Sequence, residues 1–146
     1  MRDRRALRGC EWEGVAMATV HVRYIVDDVD AAVEFYRLHL GFTVEARPGP
    51  GFAVLARGDL RLLASAASGP GGAAQPVPDG RTPRPGGWNR IQLRVEDLAA
   101  VVETLRSAGV RFRGDVVTGR GGTQVLVEDP AGNAVELFQP FAPESG

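Results

Sequence analysis

The feature that most constrains this chain is an internal repeat. His21-Val22-Arg23-Tyr24-Ile25-Val26-Asp27-Asp28-Val29 returns as Arg90-Ile91-Gln92-Leu93-Arg94-Val95-Glu96-Asp97-Leu98, and each copy runs into an amphipathic stretch that stops at a glycine, Gly41 or Gly109. Glu34 and Arg37 recur as Glu103 and Arg106 at the same spacing as the strands. Near the end of each copy, Gly58-Asp59-Leu60-Arg61-Leu62-Leu63 lines up with Gly132-Asn133-Ala134-Val135-Glu136-Leu137. A duplicated module predicts a site built between two halves, so the positions where the copies differ are the places to look for chemistry.

Within each copy the hydrophobic period changes along the chain. Residues 20–26 alternate His21, Arg23 and Ile25 with Val20, Val22, Tyr24 and Val26, which predicts a strand with one apolar and one mixed face. Asp27 or Asp28 is placed to cap the helix that follows, because a short side-chain oxygen accepts the orphan amide hydrogens of a first turn. That helix spans 31–40, with Val33, Phe35, Tyr36 and Leu40 as its buried stripe and Gly41 as its stop. Three strands follow, over 42–45, 52–56 and 60–64. The second copy repeats the order with a strand over 90–95, a helix over 98–108, and strands over 110–113, 123–127 and 134–138. Asp129-Pro130-Ala131-Gly132-Asn133 reads as the turn before the last strand. The acidic pairs Asp27-Asp28 and Glu128-Asp129 are explained by capping and turn formation rather than by acid–base chemistry.

Composition sets the outer bounds. At 146 residues the chain forms one domain, able to bury roughly two thirds of its unfolded surface, and its net charge of −1 offers no basic field for nucleic acid or an anionic membrane. All 17 basic residues are arginine, the mark of a GC-rich coding sequence. A single cysteine, Cys10, excludes an internal disulfide, fits a reducing compartment, and has no positioned base beside it. No apolar run is long enough to span a bilayer, so the expected location is the cytoplasm. Residues 1–18 lie outside the repeat and are expected to form a disordered tail, with Met17 an alternative start; residues 141–146 form a second tail. Between the modules, residues 66–87 are rich in Gly and Pro and read as a linker or a lid. Trp88, directly after the linker, either packs it onto the sheet or stacks on a ligand.

Two copies of strand, helix, strand, strand, strand, with these marks, resemble the vicinal oxygen chelate superfamily, which includes glyoxalase I, extradiol dioxygenases and bleomycin resistance proteins. The resemblance covers about residues 19–140. It is carried by the His21 to Asp28 opening, by Glu34-Phe35-Tyr36 through Leu40-Gly41-Phe42, and most specifically by Glu128-Asp129-Pro130 with Gly132-Asn133-Ala134-Val135-Glu136-Leu137-Phe138. It implies an α+β fold in which two tandem βαβββ modules, residues 19–65 and 88–140, form a half-barrel cavity. It also implies a homodimer.

The resemblance further implies a metal site made from the first and last strand of each module. Carried over by position, those strands offer His21, Arg90, Leu62 and Glu136. His21 and Glu136 have the chemistry to hold one divalent ion such as Zn, Mn, Fe or Ni, and Glu136 could then shuttle a proton as the catalytic residue. Leu62 cannot ligate, and Arg90 brings a fixed positive charge to a ligand position. A second reading follows from the alternation, which places Arg23 with His21, and Arg90, Gln92 and Arg94 with Glu136 and Phe138, on the faces that would line the cavity. Such a cavity must be wet, pair Arg90 with Glu136, or receive an anion. The expected function is therefore the binding of a small anionic metabolite or antibiotic by Arg23, Trp88, Arg90, Gln92, Arg94 and Phe138. The alternative is a metal-dependent lyase or dioxygenase that uses His21 and Glu136.

Overall fold

The structure is a computed structural model that describes residues 20–69 and 71–141. The expectations for the N-terminal tail, Met17, Cys10 and residues 142–146 fall outside that span. In order, the elements are β1 (Val20–Val26), α1 (Val29–Leu40), β2 (Thr43–Gly49), β3 (Phe52–Arg57), β4 (Leu60–Ala66), β5 (Ile91–Arg94), α2 (Leu98–Ser107), β6 (Arg111–Phe112), β7 (Val117–Thr118), β8 (Gly122–Glu128) and β9 (Ala134–Pro140). The fold is α+β, with two sheets and two helices. The first sheet runs β1-β4-β3-β2, and the second runs β5-β9-β8-β6 with β7 paired to β8.

Against the expected 31–40 and 98–108, α1 starts earlier, at Val29 directly after Asp28, and α2 ends at Ser107. Asp28 caps α1 by accepting from the Ala31 amide at 3.1 Å, and Asp97 caps α2 through Ala100 at the same distance. Gly41 ends α1 at φ 75°, a left-handed conformation that costs glycine nothing. In each sheet the first and last strands of the module pair in parallel, β1 with β4 and β5 with β9.

The two modules share a single core. Tyr36, Phe42, Leu55 and Leu62 from the first pack in one cluster with Leu105, Val127, Val135 and Leu137 from the second. Tyr36 meets Phe35 and Phe42 edge to face, with ring centroids 5.1 and 5.3 Å away. The polar joints between modules sit in this core. The Tyr24 hydroxyl donates to the Ala134 carbonyl at 2.7 Å and accepts from the Ile91 amide at 2.9 Å. Asp129 is fully buried and accepts from the Tyr36 hydroxyl at 2.8 Å, the Asn133 side chain, and the Ala131 and Asn133 amides. Asn133 in turn donates to the Ile25 carbonyl at 2.8 Å. The Asp129–Asn133 turn is thus a bracket that ties the second module to α1 and β1.

Burial raises the Tyr24 hydroxyl above its usual range. Tyr36 rises further, first by burial and then because the Asp129 charge opposes a phenolate beside it.

Candidate functional site

Period-two alternation leaves one face of each sheet turned away from the shared core. On the first sheet, register sets His21 beside Arg61, Arg23 beside Leu63, and Ile25 beside Ser65; Ala56, Val54 and Phe52 of β3 continue these rows. On the second, Gln92 lies beside Glu136 and Arg94 beside Phe138, with Leu126 and Gln124 of β8 next in line.

This register corrects the sequence alignment of the two copies by one residue. Gln92 occupies in β5 the place of Arg23 in β1, so the counterpart of Glu136 is Leu63 rather than Leu62, which is fully buried in the core. The slip arises in the turns. Arg57 pairs with Leu60 around Gly58-Asp59, whereas Glu128 pairs with Ala134 around the longer Asp129–Asn133 bracket. The same register matches Ser65 to Phe138.

The second sheet's face is charged and internally paired. The Arg90 Nε donates to Glu136 at 3.0 Å and the Gln92 amide donates to its other oxygen at 2.8 Å. The Glu136 side chain is only 8% exposed, and the Arg90 side chain 29%. Burying that carboxylate is tolerable because both its oxygens are occupied. Farther across, Arg113 donates to Glu128 at 2.9 Å, to the Gly87 carbonyl at 2.7 Å and to the Gly132 carbonyl at 2.9 Å, while its guanidinium lies 4.6 Å from the centre of the Trp88 ring. The Gly86 amide adds a 2.7 Å bond to the Asn133 side chain. Trp88 therefore belongs to the clamp that holds the end of the linker on the second module, and it remains 67% exposed. Arg94 is exposed and has no ionic partner among the described residues.

The donors do not fit a divalent ion. Of the four positions the family likeness singles out, neither Leu62 nor the Leu63 that the register puts in its place has a donor atom, Arg90 is a cation, and Glu136 already spends both oxygens on Arg90 and Gln92. Among the described residues no three His, Cys, Asp or Glu side chains gather as a metal site would require.

The first sheet's face is mostly apolar and carries a cavity of about 810 Å³. Its lining comes from Arg23, from the β2–β3 hairpin Gly49–Phe52, from Ser65 and Ala66 of β4, and from linker residues Ser68 and Gly71–Ala74. Gly72–Ala74 form a single 3₁₀ turn, and the Gln75 side chain staples that segment by donating to the Gly69 and Gly71 carbonyls. The linker thus contributes a wall. Arg23 donates through Nη1 to the Ser65 hydroxyl at 2.8 Å, with its guanidinium carbon 5.8 Å from the Phe52 ring centre. Of the ligand-binding residues expected from sequence, Arg23 lines this cavity, while Trp88, Arg90, Gln92, Arg94 and Phe138 stand on the second module. Phe52 and Ser65 were not among the expected ligand-binding residues, and the linker, expected as a connection or a lid, supplies part of the wall. Alternation along β4 signals the side on which Ser65 lies, but its place beside Ile25 and Phe52 depends on strand register. The copies explain why the cavity is on this side, because the place that a small Ser65 leaves open is filled by Phe138 in the second module.

Comparison with known proteins agrees with this architecture. The sequence model of the glyoxalase/bleomycin resistance protein/dioxygenase superfamily matches residues 18–137. Among curated proteins the sequence has no significant match. Similar solved structures include TnmS3, an antibiotic-binding protein from a Streptomyces species, at 26% identity and TM-score 0.63, covering 84% of this chain and 94% of that one. A lactoylglutathione lyase from Agrobacterium tumefaciens is 19% identical with TM-score 0.67, covering 84% and 93%. A superfamily member from Sphaerobacter thermophilus is 24% identical with TM-score 0.66, covering 86% and 98%. The last two likenesses speak to the fold alone.

Proposed function

The chain belongs to the glyoxalase/bleomycin resistance protein/dioxygenase superfamily, and from that premise we propose that it is a binding protein for a small organic anion, held on the face of the first sheet. One observation carries this reading: the roughly 810 Å³ cavity has Arg23 as its sole charged lining side chain among the described residues. That volume lies in the range of small-molecule sites, about 300–1,000 Å³, and such sites join an apolar lining to a few placed polar groups. An antibiotic stands beside metabolites as a candidate ligand, since TnmS3 is an antibiotic-binding protein. The metal-dependent alternative through His21 and Glu136 has no donor set to support it. A cytoplasmic homodimer, in which a second copy covers the open sheet faces, completes the proposal.

A ligand-observed NMR screen of small carboxylates and antibiotics tests the reading, with Ser65→Phe as the filled-cavity control. Binding that disappears in Ser65→Phe is the expected result. Binding that survives it would move the site off the first sheet. Metal content after soaking in Zn, Mn, Fe and Ni salts provides the opposing test: a stoichiometric ion lost on His21→Ala would restore the enzyme reading.

A further inference from the structure

The corner formed by Arg23, Ser65 and Phe52 defines the ligand class more narrowly, and we infer that the cavity selects a flat, aromatic monocarboxylate. This inference rests on the cavity being a ligand site, as proposed above. Ser65 is 3% exposed, and its hydroxyl accepts from Arg23 Nη1 at 2.8 Å. The hydroxyl's own hydrogen has no acceptor among the described residues. Nor do Arg23 Nε and Nη2 have acceptors there, and together they form one edge of the guanidinium fork. Two parallel N–H groups on one edge match the two oxygens of a carboxylate. The Ser65 O–H supplies a third donor from within the wall.

Charge limits the anion to a single negative charge. Among the described residues no second cation lines the cavity, and the other lining side chains there are Pro50, Phe52, two serines and alanines, alongside bare glycine backbone. A phosphate ester or dicarboxylate would bring a second charge into surroundings that cannot neutralise it. The Phe52 ring adjoins the guanidinium, so the surface next to the anion hook is an aromatic face. A ring attached directly to the carboxylate would lie along that face, with its far end under the wall made by Ser68 and Gly71–Ala74.

The test is a titration of ¹⁵N-labelled protein with four probes: 1-naphthoate, 1-naphthamide, 1-naphthyl phosphate and octanoate. Chemical shifts of the Ser65 and Phe52 amides report the site. The expected outcome is that naphthoate binds at least about tenfold tighter than each of the other three, and that Arg23→Gln abolishes its advantage over the amide. Naphthamide binding as tightly as naphthoate would overturn the anion hook. Naphthyl phosphate binding as tightly would overturn the single-charge limit, and octanoate binding as tightly would remove the role of the ring. If no probe shifts these amides, or if all shifts persist in Ser65→Phe, the cavity reading itself fails along with the selectivity.

Discussion

The two sheets descend from one repeated pattern, yet their faces away from the core have become opposites. On the second sheet Arg90, Gln92 and Glu136 bind one another, Arg113 binds Glu128, and Phe138 fills the place next to them. On the first, the matching places hold Leu63 and Ser65, and Arg23 has one edge of its guanidinium without an acceptor among the described residues, beside a cavity. Their core faces stayed alike, with Leu62 matching Val135 and Ala64 matching Leu137, because the shared core tolerates only apolar side chains there. The contrast teaches that a guanidinium on a sheet face can serve stability or recognition, and that its partners decide which. Arg90 spends its charge on a buried carboxylate, whereas Arg23 is bound, among the described residues, only to a neutral hydroxyl.

The strongest perturbation should erase the contrast by removing what both sheets share. Asp129→Ala leaves the Tyr36 hydroxyl, the Asn133 side chain and two turn amides without their acceptor, and should cost about 3–5 kcal/mol in urea unfolding. A loss below about 1 kcal/mol would mean that the bracket does not join the modules. Arg90→Ala comes next, at about 1–2 kcal/mol, because it strands a nearly buried Glu136 that still has Gln92 and can draw in water. Arg23→Ala should cost less than about 0.5 kcal/mol while abolishing anion binding. Equal destabilisation by the two arginine variants would break the comparison.

A smaller effect concerns pH. Tyr24 and Tyr36 both titrate above their usual value in the folded protein, so the stability they carry is whole below pH 10 and drains away as pH rises through their folded values. The thermal unfolding midpoint should therefore fall above pH 10. Tyr36→Phe should cost about 1 kcal/mol at neutral pH and make the alkaline decline shallower. An unchanged decline would assign it to Tyr24 instead.

Much of this architecture was legible in the chain. The repeat announced two modules, Asp27 or Asp28 announced the start of the first helix, and strict alternation over 20–26 separated Tyr24 and Val26 from His21 and Arg23. The pairing of Arg90 with Glu136 was one of three alternatives that charge alone left open. The short β7 strand escaped notice, since two residues carry no period. The linker read as a connection or a lid, and the structure makes one end of it a cavity wall and the other a clamp on Arg113.

The sequence by itself determined the duplicated order of strands and helices, the existence of both helices and the outward faces of β1 and β5, since these depend on local propensity and on periods of two and 3.6 residues. Only the tertiary structure decided that Leu63 and not Leu62 answers Glu136, that Ser65 meets Arg23 and Phe52, and that the cavity opens on the first sheet. Each of these depends on register between strands distant in sequence. The Gly58-Asp59 turn is shorter than the Asp129–Asn133 turn, and the one-residue slip this leaves in the alignment of the last strands puts each aligned pair on opposite faces of the sheet.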